Sequence, residues 1–354
     1  MSASETIPAP LFVAIGEPEV RLYGRSARQR AEQVAAKAGL EVAQASAGGR
    51  SALLSDLNFA WDPAWLGEIK RRPNSALMLD GRPVLVHLPE GAANDSVAAA
   101  MRGERPFAPD GLELLDARTA EVNYHELRKR DRPFVMPVTA ENRIDVERAL
   151  YNAAYKGVTD ILTLYLWRRP AFHLTRWAAQ AGLSPNFITL VGFIFCVAAF
   201  WLFWEGHYWA GFASGFVFMV LDTVDGKLAR CTGTSSKWGN VADHGVDLIH
   251  PPFWWWAWLH GLGAVGLALE PVYASMVLAA IVGGYVLQRL IEGIFMRRYG
   301  MHIHVWQRID SQFRLITARR NPNMVILFVA LLFARPDIGI ELVALWTLLS
   351  LVFH

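Results

Sequence analysis

The sequence predicts a soluble α/β domain followed by an α-helical membrane bundle of six transmembrane helices. Hydrophobic residues make up 53% of the 354 residues and the mean hydropathy is +0.23, and both values are high for a wholly soluble protein. Residues 1–140 nevertheless have an ordinary soluble composition, and long apolar runs begin only at about residue 187. We therefore predict a soluble domain over 1–135, a linker over 136–183 and a membrane domain over 184–354.

The first part of the chain alternates between β and α patterns. The segments LFVAIG (11–16), SALLSD (51–56) and PVLVHL (83–88) are short apolar runs typical of buried strands. Helical spacing extends from Ser26 to a glycine stop at Gly39. This alternation predicts a layered, Rossmann-like α/β domain.

Two polar features of this domain could bind ligands. Gly24, Arg25, Arg28 and Arg30 surround a predicted helix start, where backbone N–H groups favour anions, although a solvated helix face explains the same pattern. Asp56 ends the second predicted strand. Its carboxylate could hold a metal ion or could be structural.

Residues 141–183 predict an amphipathic helix between the two parts. Apolar residues recur every three or four positions, and Lys156, Arg168, Arg169 and Arg176 lie between them. This pattern is typical of a helix along an anionic membrane surface. A helix packed on the soluble domain would show the same periodicity, so both interpretations stay open.

Six apolar segments follow, and each is a candidate membrane span. Positive charge in the connecting segments is concentrated on one side, which the positive-inside rule assigns to the cytoplasm. The N-terminus lacks the basic and apolar regions of a cleaved signal peptide. We therefore expect an integral protein of the cytoplasmic (inner) membrane, with its motif and soluble domain on the cytoplasmic side. The predicted spans are 187–204, 208–230, 239–262, 271–297, 321–335 and 337–353.

Composition argues against two other classes of protein. The net charge is only +2 and no basic segment is interleaved with aromatic residues, so we expect no nucleic-acid binding. Cys196 and Cys231 are the only cysteines, so no disulfide framework is expected.

One stretch of the apolar half concentrates charge: DTVDGKLARCTGTSSKWGNVADHGVD (222–247). It holds four of the 11 acidic residues that follow residue 150. A carboxylate within a membrane helix costs about 2.5–3.5 kcal/mol, so four together require compensation by cations. Helical spacing places Asp222 with Asp225, and Asp243 with Asp247, on shared faces. Two such helices facing each other would form an all-oxygen cage that suits Mg²⁺ or Mn²⁺.

The spacing D-x2-D-G-x2-A-R-x8-G-x3-D-x3-D resembles the signature of the CDP-alcohol phosphotransferase (CDP-alcohol phosphatidyltransferase) family. The resemblance covers roughly 140–354. It implies metal-dependent transfer of a substituted phosphate from a CDP-alcohol, such as CDP-diacylglycerol, to an acceptor alcohol, with release of CMP, in phospholipid biosynthesis. Every fixed position of the signature is filled here: Asp222, Asp225, Gly226, Ala229, Arg230, Gly239, Asp243 and Asp247.

The resemblance also implies roles for particular residues. The four aspartates would hold two divalent cations, Mg²⁺ or Mn²⁺, and Asp247 would also be the general base. Asn186 and Thr189 of the segment 184–189 would contact the nucleotide. Capping of the first membrane helix is the alternative role for this segment. His244 could assist deprotonation of the acceptor or make a structural hydrogen bond. The implied nucleotide site consists of Asn186, Thr189, Gly226, Ala229, Arg230, Ser236 and Gly239.

The expected partners follow from the same resemblance. They are a CDP-alcohol donor, an alcohol or phosphorylated-alcohol acceptor and membrane lipids, with a homodimer as a further expectation. The N-terminal domain resembles the nucleotidyltransferase domain fused to some inositol-using members. The glycine-rich phosphate loop and its lysine are not recognisable between Gly16 and Arg30, so we expect a degenerate domain.

Arg314, Arg319 and Arg320 lie between the fourth and fifth predicted spans. The positive-inside rule explains positive charge there, but residues 297–320 contain six arginines and no lysine. Arginine is the better bidentate partner for phosphate. Two interpretations of these arginines therefore stay open: they bind an anionic acceptor or lipid headgroup, or they only orient the protein in the membrane.

Two alternative functions stay open. A water-soluble CDP-alcohol could react with a lipid acceptor, as in the choline and ethanolamine phosphotransferases that the DHG sequence at 243–245 resembles. A divalent-cation transporter or sensor is the alternative from a different class. A transporter would need ionisable residues through the full membrane depth, whereas the aspartates here are predicted to cluster at one face.

Overall fold

The computed structural model describes residues 10–44, 50–92, 94–108, 110–122, 132–155, 157–235 and 237–354, and it leaves out the side chains of 237–238 and 240–244. The described residues form two compact units. One unit contains the described residues of 10–122, 132–155 and 230–234, and the other contains the described residues of 157–229 and 235–354.

The first unit is built on a six-stranded mixed sheet with the order β2-β1-β3-β6-β5-β7. β1 (Leu11–Ile15) is parallel to β2 (Glu41–Ala43) and β3 (Ala52–Asp56). β6 (Arg82–Leu88) is antiparallel to β3 and β5 (Ser75–Leu79), and β7 (Glu113–Asp116) is parallel to β5. β4 (Phe59–Trp61) and β8 (Val135–Pro137) form a separate antiparallel pair. The predicted α/β class is confirmed, and β1, β3 and β6 are the three predicted strands.

The sheet departs from the Rossmann-like arrangement because an antiparallel hairpin lies within it. β5 and β6 are joined by Asp80 and Gly81, whose φ angles of 51° and 77° are both positive, as a two-residue type I′ turn requires. An Asp-Gly pair between two apolar runs is a recognised sequence sign of such a hairpin. The Asp-Gly pair in the sequence MLDGRP therefore indicated an antiparallel hairpin, which the prediction of alternating β and α elements missed.

Three helices pack with this sheet: α1 (Ala27–Lys37), α2 (Pro63–Arg71) and α3 (Asn94–Met101). α1 begins where the Ser26 hydroxyl accepts a hydrogen bond from the Gln29 backbone N–H at 3.2 Å, and Gly39 follows its end with a φ of 73°. Alternate residues of β1 enter two different apolar clusters, one with Leu11 and Val13 and the other with Phe12. Both faces of the sheet are therefore covered.

The polar features predicted as ligand sites in this unit have protein partners. The Asp56 carboxylate accepts two hydrogen bonds from Asn58 at 2.9 Å and pairs with Arg82 at 3.2 Å, while burial raises the pKa of Asp56. Arg28 donates to the Gly16 carbonyl oxygen at 3.3 Å, and Arg30 is buried. These contacts favour the structural interpretation of both features.

The linker forms two helices rather than the single amphipathic helix that we expected. α4 (Arg143–Ala153) lies in the first unit and α5 (Arg168–Gln180) in the second, with a π-helical turn at Leu162–Leu166 before α5. The break contains Gly157 at a φ of 102°, which a helix cannot accommodate. α5 keeps the expected amphipathic character, because it buries Ala171 and Phe172 and exposes Arg169, His173 and Trp177 on another face.

The second unit continues with six long helices that lie within three residues of the predicted spans. Ser184 caps the first of them by accepting a hydrogen bond from the Phe187 N–H at 3.1 Å, and the fourth ends at Gly300 in the left-handed conformation. Between the fourth and fifth lies the short helix α10 (Arg308–Phe313). The six are α6 (Pro185–Trp204), α7 (Tyr208–Cys231), α8 (Lys237–Gly261), α9 (Pro271–Tyr299), α11 (Arg320–Leu332) and α12 (Pro336–Phe353).

Three of these helices, α6, α9 and α12, have the length and apolarity of a membrane span within the described part of the chain. α11 has 13 residues and is therefore only about 20 Å long, shorter than the roughly 30 Å of a bilayer core. α7 and α8 are long enough but carry the charges of the motif. The chain is thus an integral membrane protein with three candidate spans, and six crossings stay a prediction.

The core of this unit is aromatic and tightly packed. Trp254, Trp255 and Trp258 of α8 are at most 1% exposed, whereas Trp256 is 44% exposed and faces outward. Helices approach closely at small residues, since a Cβ at Gly284 would lie 2.7 Å from the Thr347 side chain. This packing fixes α8, which carries part of the motif.

Candidate active site

The described carboxylates of the motif lie on two helices. Asp222 and Asp225 are nearly one turn apart on α7, and Asp247 lies on α8. The Asp225 residue is 4% exposed, whereas the side chains of Asp222 and Asp247 are 16% and 45% exposed. Two of the predicted cage residues are therefore shielded from water, and Asp247 stands at the open side.

Thr189 of α6 connects to this cluster. Its hydroxyl donates a hydrogen bond to the Asp225 Oδ2 at 2.6 Å. The capping alternative applies to Ser184, which caps α6, and not to Thr189. The sequence predicted Thr189 as a nucleotide contact, and that role stays a prediction; in the structure its hydroxyl contacts a motif carboxylate.

Arg320 at the start of α11 bridges the two motif helices. Its Nη2 donates to the Asp222 Oδ2 at 2.7 Å, and its Nη1 donates to the Asp247 Oδ1 at 2.8 Å. The guanidinium also lies over the Phe218 ring at 4.9 Å from the centroid. Arg320 was predicted, with Arg314 and Arg319, to bind an anionic acceptor or lipid headgroup near Asp247. The structure places it on Asp222 and Asp247, and acceptor binding stays a prediction.

Two prolines shape α8 beside Asp247. Pro251 and Pro252 lack the N–H groups that would bond the carbonyl oxygens of Asp247 and Leu248 in a regular helix. The Tyr285 hydroxyl of α9 donates to the Leu248 carbonyl oxygen at 3.0 Å and replaces one of these bonds. The backbone around Asp247 is therefore held by a neighbouring helix.

For the other predicted site residues, the structure gives the helix on which each described residue lies. Gly226, Ala229 and Arg230 lie on α7, and Gly239 lies on α8. Asn186 is exposed in the first turn of α6. Ser236 and the side chains of Asp243 and His244 lie outside the described residues, so their predicted roles stay predictions.

The donor set fits a divalent cation. Asp222 and Asp247 contact the Arg320 guanidinium, and Asp225 accepts a hydrogen bond from the Thr189 hydroxyl. Oxygen donors of this kind are the ligands that Mg²⁺ and Mn²⁺ prefer. Carboxylates in an apolar region also require positive charge. Such ions would be held by Asp222, Asp225 and Asp247, with Asp243 as the predicted fourth ligand.

A second polar cluster, which sequence analysis missed, surrounds Glu292 of α9. Its Oε1 lies 2.6 Å from the Arg319 Nη2, 3.0 Å from the Arg289 Nη2 and 3.2 Å from the His304 Nε2. His354 is 3.9 Å from the same oxygen. The only sequence signal was the H-x-H pair at 302–304, and its partners come from three other segments of the chain.

This second cluster favours a carboxylate bound by cations over a metal centre. Glu292, His304 and His354 come close enough to share an ion, but two guanidiniums already contact the carboxylate oxygen that the ion would need. Burial lowers the pKa of His304 to about 4, which keeps the ring neutral at pH 7. Arg314 lies nearby, and burial lowers its pKa to about 9.

An apolar groove of about 330 Å³ lies between α6 and α8. Phe193 and Val246 line both this groove and a small recess that Asp222 and Asp225 also line. The groove and the recess beside the motif carboxylates therefore share two lining residues. Its other lining residues are Cys196, Val197, Phe200, Ile249, His250, Phe253 and Trp254.

A helical integral membrane protein with a carboxylate cluster between its helices is the class that this fold and site define. Residues 183–353 match the family model described as CDP-alcohol phosphatidyltransferase. Residues 183–353, just under half of the chain, therefore form a domain of the CDP-alcohol phosphatidyltransferase family, which is a family of enzymes. The family is generally dependent on divalent metals.

Individual relatives match the chain only in part. Archaetidylinositol phosphate synthase of Pyrococcus horikoshii is 24% identical over 52% of this chain and 88% of the relative. Choline/ethanolaminephosphotransferase 1 of Arabidopsis thaliana is 27% identical over 38% of this chain and 42% of the relative. An uncharacterised CDP-alcohol phosphatidyltransferase class-I family protein of Schizosaccharomyces pombe is 32% identical over 29% of this chain. The chain spans only 30% of the length of that last protein.

Proposed function

We propose that this protein transfers a substituted phosphate from a CDP-alcohol to an acceptor alcohol and releases CMP, in phospholipid synthesis. The observation that carries the proposal is the convergence of Asp222 and Asp247 from two helices on one guanidinium, with Asp225 held by Thr189. The match of residues 183–353 to the family model supports the same activity. It also removes the support for a transporter or sensor.

The four motif aspartates would hold two divalent cations, Mg²⁺ or Mn²⁺, which neutralise the diphosphate and the charge that develops on CMP. The chain's own residues set the geometry of this site. Thr189 fixes the direction of the Asp225 carboxylate, and Arg320 holds Asp222 and Asp247 at a constant separation. The site is therefore preorganised before substrate binds.

Asp247 is the group that we assign to proton transfer. Its side chain is 45% exposed, so an acceptor hydroxyl can reach it, whereas Asp225 is 4% exposed. The carboxylate would take the hydroxyl proton as the acceptor oxygen attacks the phosphorus, and the bond to CMP breaks. Besides Thr189, the predicted nucleotide residues would lie on the donor side of this centre: Asn186, Gly226, Ala229, Arg230, Ser236 and Gly239.

The groove between α6 and α8 would hold an acyl chain of the lipid substrate. It is lined mostly by apolar residues, and it shares Phe193 and Val246 with the recess that Asp222 and Asp225 line. A lipid held there would place its polar end at the reacting phosphate. We propose further that the motif and the soluble domain face the cytoplasm of an inner membrane. Nothing in the described residues supports the expected homodimer.

Two assignments of the lipid are consistent with this site. A CDP-diacylglycerol-like donor with a polar acceptor is favoured by the relative that the chain matches over 88% of its length, whose name is archaetidylinositol phosphate synthase. A soluble CDP-alcohol with a lipid acceptor is favoured by the DHG sequence and by the choline/ethanolaminephosphotransferase relative. Incubation of purified protein with CMP, Mn²⁺ and extracted lipids distinguishes them, because the lipid consumed in the reverse reaction identifies the donor.

The test of the proposal is substitution of the carboxylates. Asp222→Asn, Asp225→Asn and Asp243→Asn should each abolish CMP release, since loss of a ligand costs several kcal/mol of transition-state stabilisation. The matched control is Glu205→Gln at the far end of α6, which removes an exposed carboxylate and should leave the activity unchanged. Activity above about a tenth of wild type in all three asparagine variants would sink the proposal.

A further inference from the structure

Arg320 occupies the place where the motif carboxylates of two helices meet. Its guanidinium takes one oxygen of Asp222 at 2.7 Å and one oxygen of Asp247 at 2.8 Å. These are carboxylates that the proposed function assigns to divalent cations. A fixed positive charge from the chain itself therefore contacts the proposed metal ligands directly.

Several contacts hold Arg320 in this position. The side chain is 12% exposed, its guanidinium covers the Phe218 ring, and its Nε donates to the Asn321 Oδ1 at 3.1 Å. The preceding residue, Arg319, instead contacts Glu292 at 2.6 Å. Adjacent arginines thus serve separate clusters, and the placement of Arg320 is specific.

A guanidinium and a divalent cation attract the same carboxylate oxygens and repel each other. In a partly buried site this repulsion is only weakly screened. The positive charge of Arg320 should therefore weaken the binding of a divalent cation to the free protein. A diphosphate adds negative charge to the site, so its presence should reduce that penalty.

We propose that Arg320 is an internal counter-ion of the divalent-cation site, which holds Asp222 and Asp247 in the absence of metal and couples metal binding to nucleotide binding. This inference rests on the proposed function. Free protein then binds the metal weakly, and the nucleotide-bound protein binds it tightly. By linkage, the metal strengthens nucleotide binding by the same factor.

The experiment measures Mn²⁺ binding to the purified full chain in detergent, from the loss of the free Mn²⁺ signal in electron paramagnetic resonance. Arg320→Gln should bind Mn²⁺ at least tenfold more tightly than wild type without nucleotide. Addition of CMP should tighten Mn²⁺ binding in wild type by a larger factor than in Arg320→Gln. The matched control is Arg319→Gln, which removes the same charge from the neighbouring residue and should bind Mn²⁺ as wild type does.

Thermal unfolding of the same proteins is a second readout. Without metal, Arg320→Gln should unfold at a lower temperature than wild type, because its carboxylates lose their counter-ion, and Mn²⁺ should raise its Tm by a larger amount. Mn²⁺ affinity equal to or weaker than wild type in Arg320→Gln, together with an equal effect of CMP, overturns the inference while leaving the proposed function intact. Absence of Mn²⁺ binding by wild type, with and without CMP, overturns both.

Discussion

Thr189 offers a sharp test of how the site is built. Thr189→Val keeps the shape of the side chain and removes only the hydroxyl that donates to the Asp225 Oδ2 at 2.6 Å. A hydrogen bond to a charged group contributes about 1.5–3 kcal/mol, and Asp225 is 4% exposed, so water cannot easily replace it. At 1.4 kcal/mol for each factor of ten, the loss corresponds to roughly 10–100-fold in metal affinity.

The assay is CMP release as a function of Mn²⁺ concentration at saturating substrate. Thr189→Val should raise the Mn²⁺ concentration for half-maximal activity by about tenfold or more, because the ligand Asp225 is no longer oriented. Thr189→Ser keeps the hydroxyl and is the control, with a value close to wild type. The variants share the same position at the start of α6, so a general effect on the helix would appear in both.

The result that would refute this reasoning is equally specific. If Thr189→Val leaves the Mn²⁺ dependence unchanged and raises only the KM for the CDP-alcohol, Thr189 contacts the nucleotide, as the family resemblance predicted. If valine and serine impair the enzyme equally, the hydroxyl has no role. Either outcome separates orientation of Asp225 from direct substrate binding.

Three further predictions concern other parts of the chain. Ile249→Trp should fill the groove and raise the KM for the lipid substrate at least threefold. The control is Leu248→Trp on the same helix, which lies outside the groove lining and should leave this KM unchanged. Equal effects of the two substitutions would contradict lipid binding in the groove. The buried Arg314 Nη1 has no hydrogen-bond partner among the described residues, so Arg314→Lys should raise the KM for an anionic acceptor tenfold or more. Arg319→Lys disturbs the pairing with Glu292 and should lower Tm instead. If the KM is unchanged in both variants, the arginines serve only to orient the protein in the membrane. Burial lowers the pKa of His87 in the soluble domain. The contribution of His87 to the free energy of unfolding is therefore fully present above the unfolded pKa of about 6.5 and is lost as the pH falls below that value. His87→Gln should flatten the resulting decline in Tm, and an unaltered pH dependence of Tm contradicts this prediction.

The boundaries of the helices could be predicted from the sequence because their signals are local. Apolar runs, capping by Ser184 and the stop at Gly300 depend on residues within one turn of each end. The predicted strands β1, β3 and β6 were found for the same reason, since each is a short apolar run. The hairpin that makes the sheet mixed was missed because pairing direction depends on the turn at Asp80 and Gly81 rather than on the strands themselves.

The partners of charged side chains could not be predicted in the same way. Arg319 and Arg320 are adjacent, yet one contacts Glu292 and the other contacts Asp222 and Asp247. Which arginine faces which helix depends on the residue at which α11 begins and on its rotation against its neighbours. Neither quantity is encoded in the spacing of the arginines, so the sequence grouped residues that tertiary packing separates.

The cost of charge in an apolar region was the reason to expect cations at the motif, and the structure divides that requirement in two. Part of the compensation is internal, because Arg320 pairs with Asp222 and Asp247, and Thr189 donates to Asp225. Arg320 supplies one positive charge to this group of carboxylates, and divalent ions bound at the proposed site would add more. A site of this kind can fold before metal arrives and still require divalent ions when the substrate adds its own negative charge, which is why metal and nucleotide binding are expected to depend on each other.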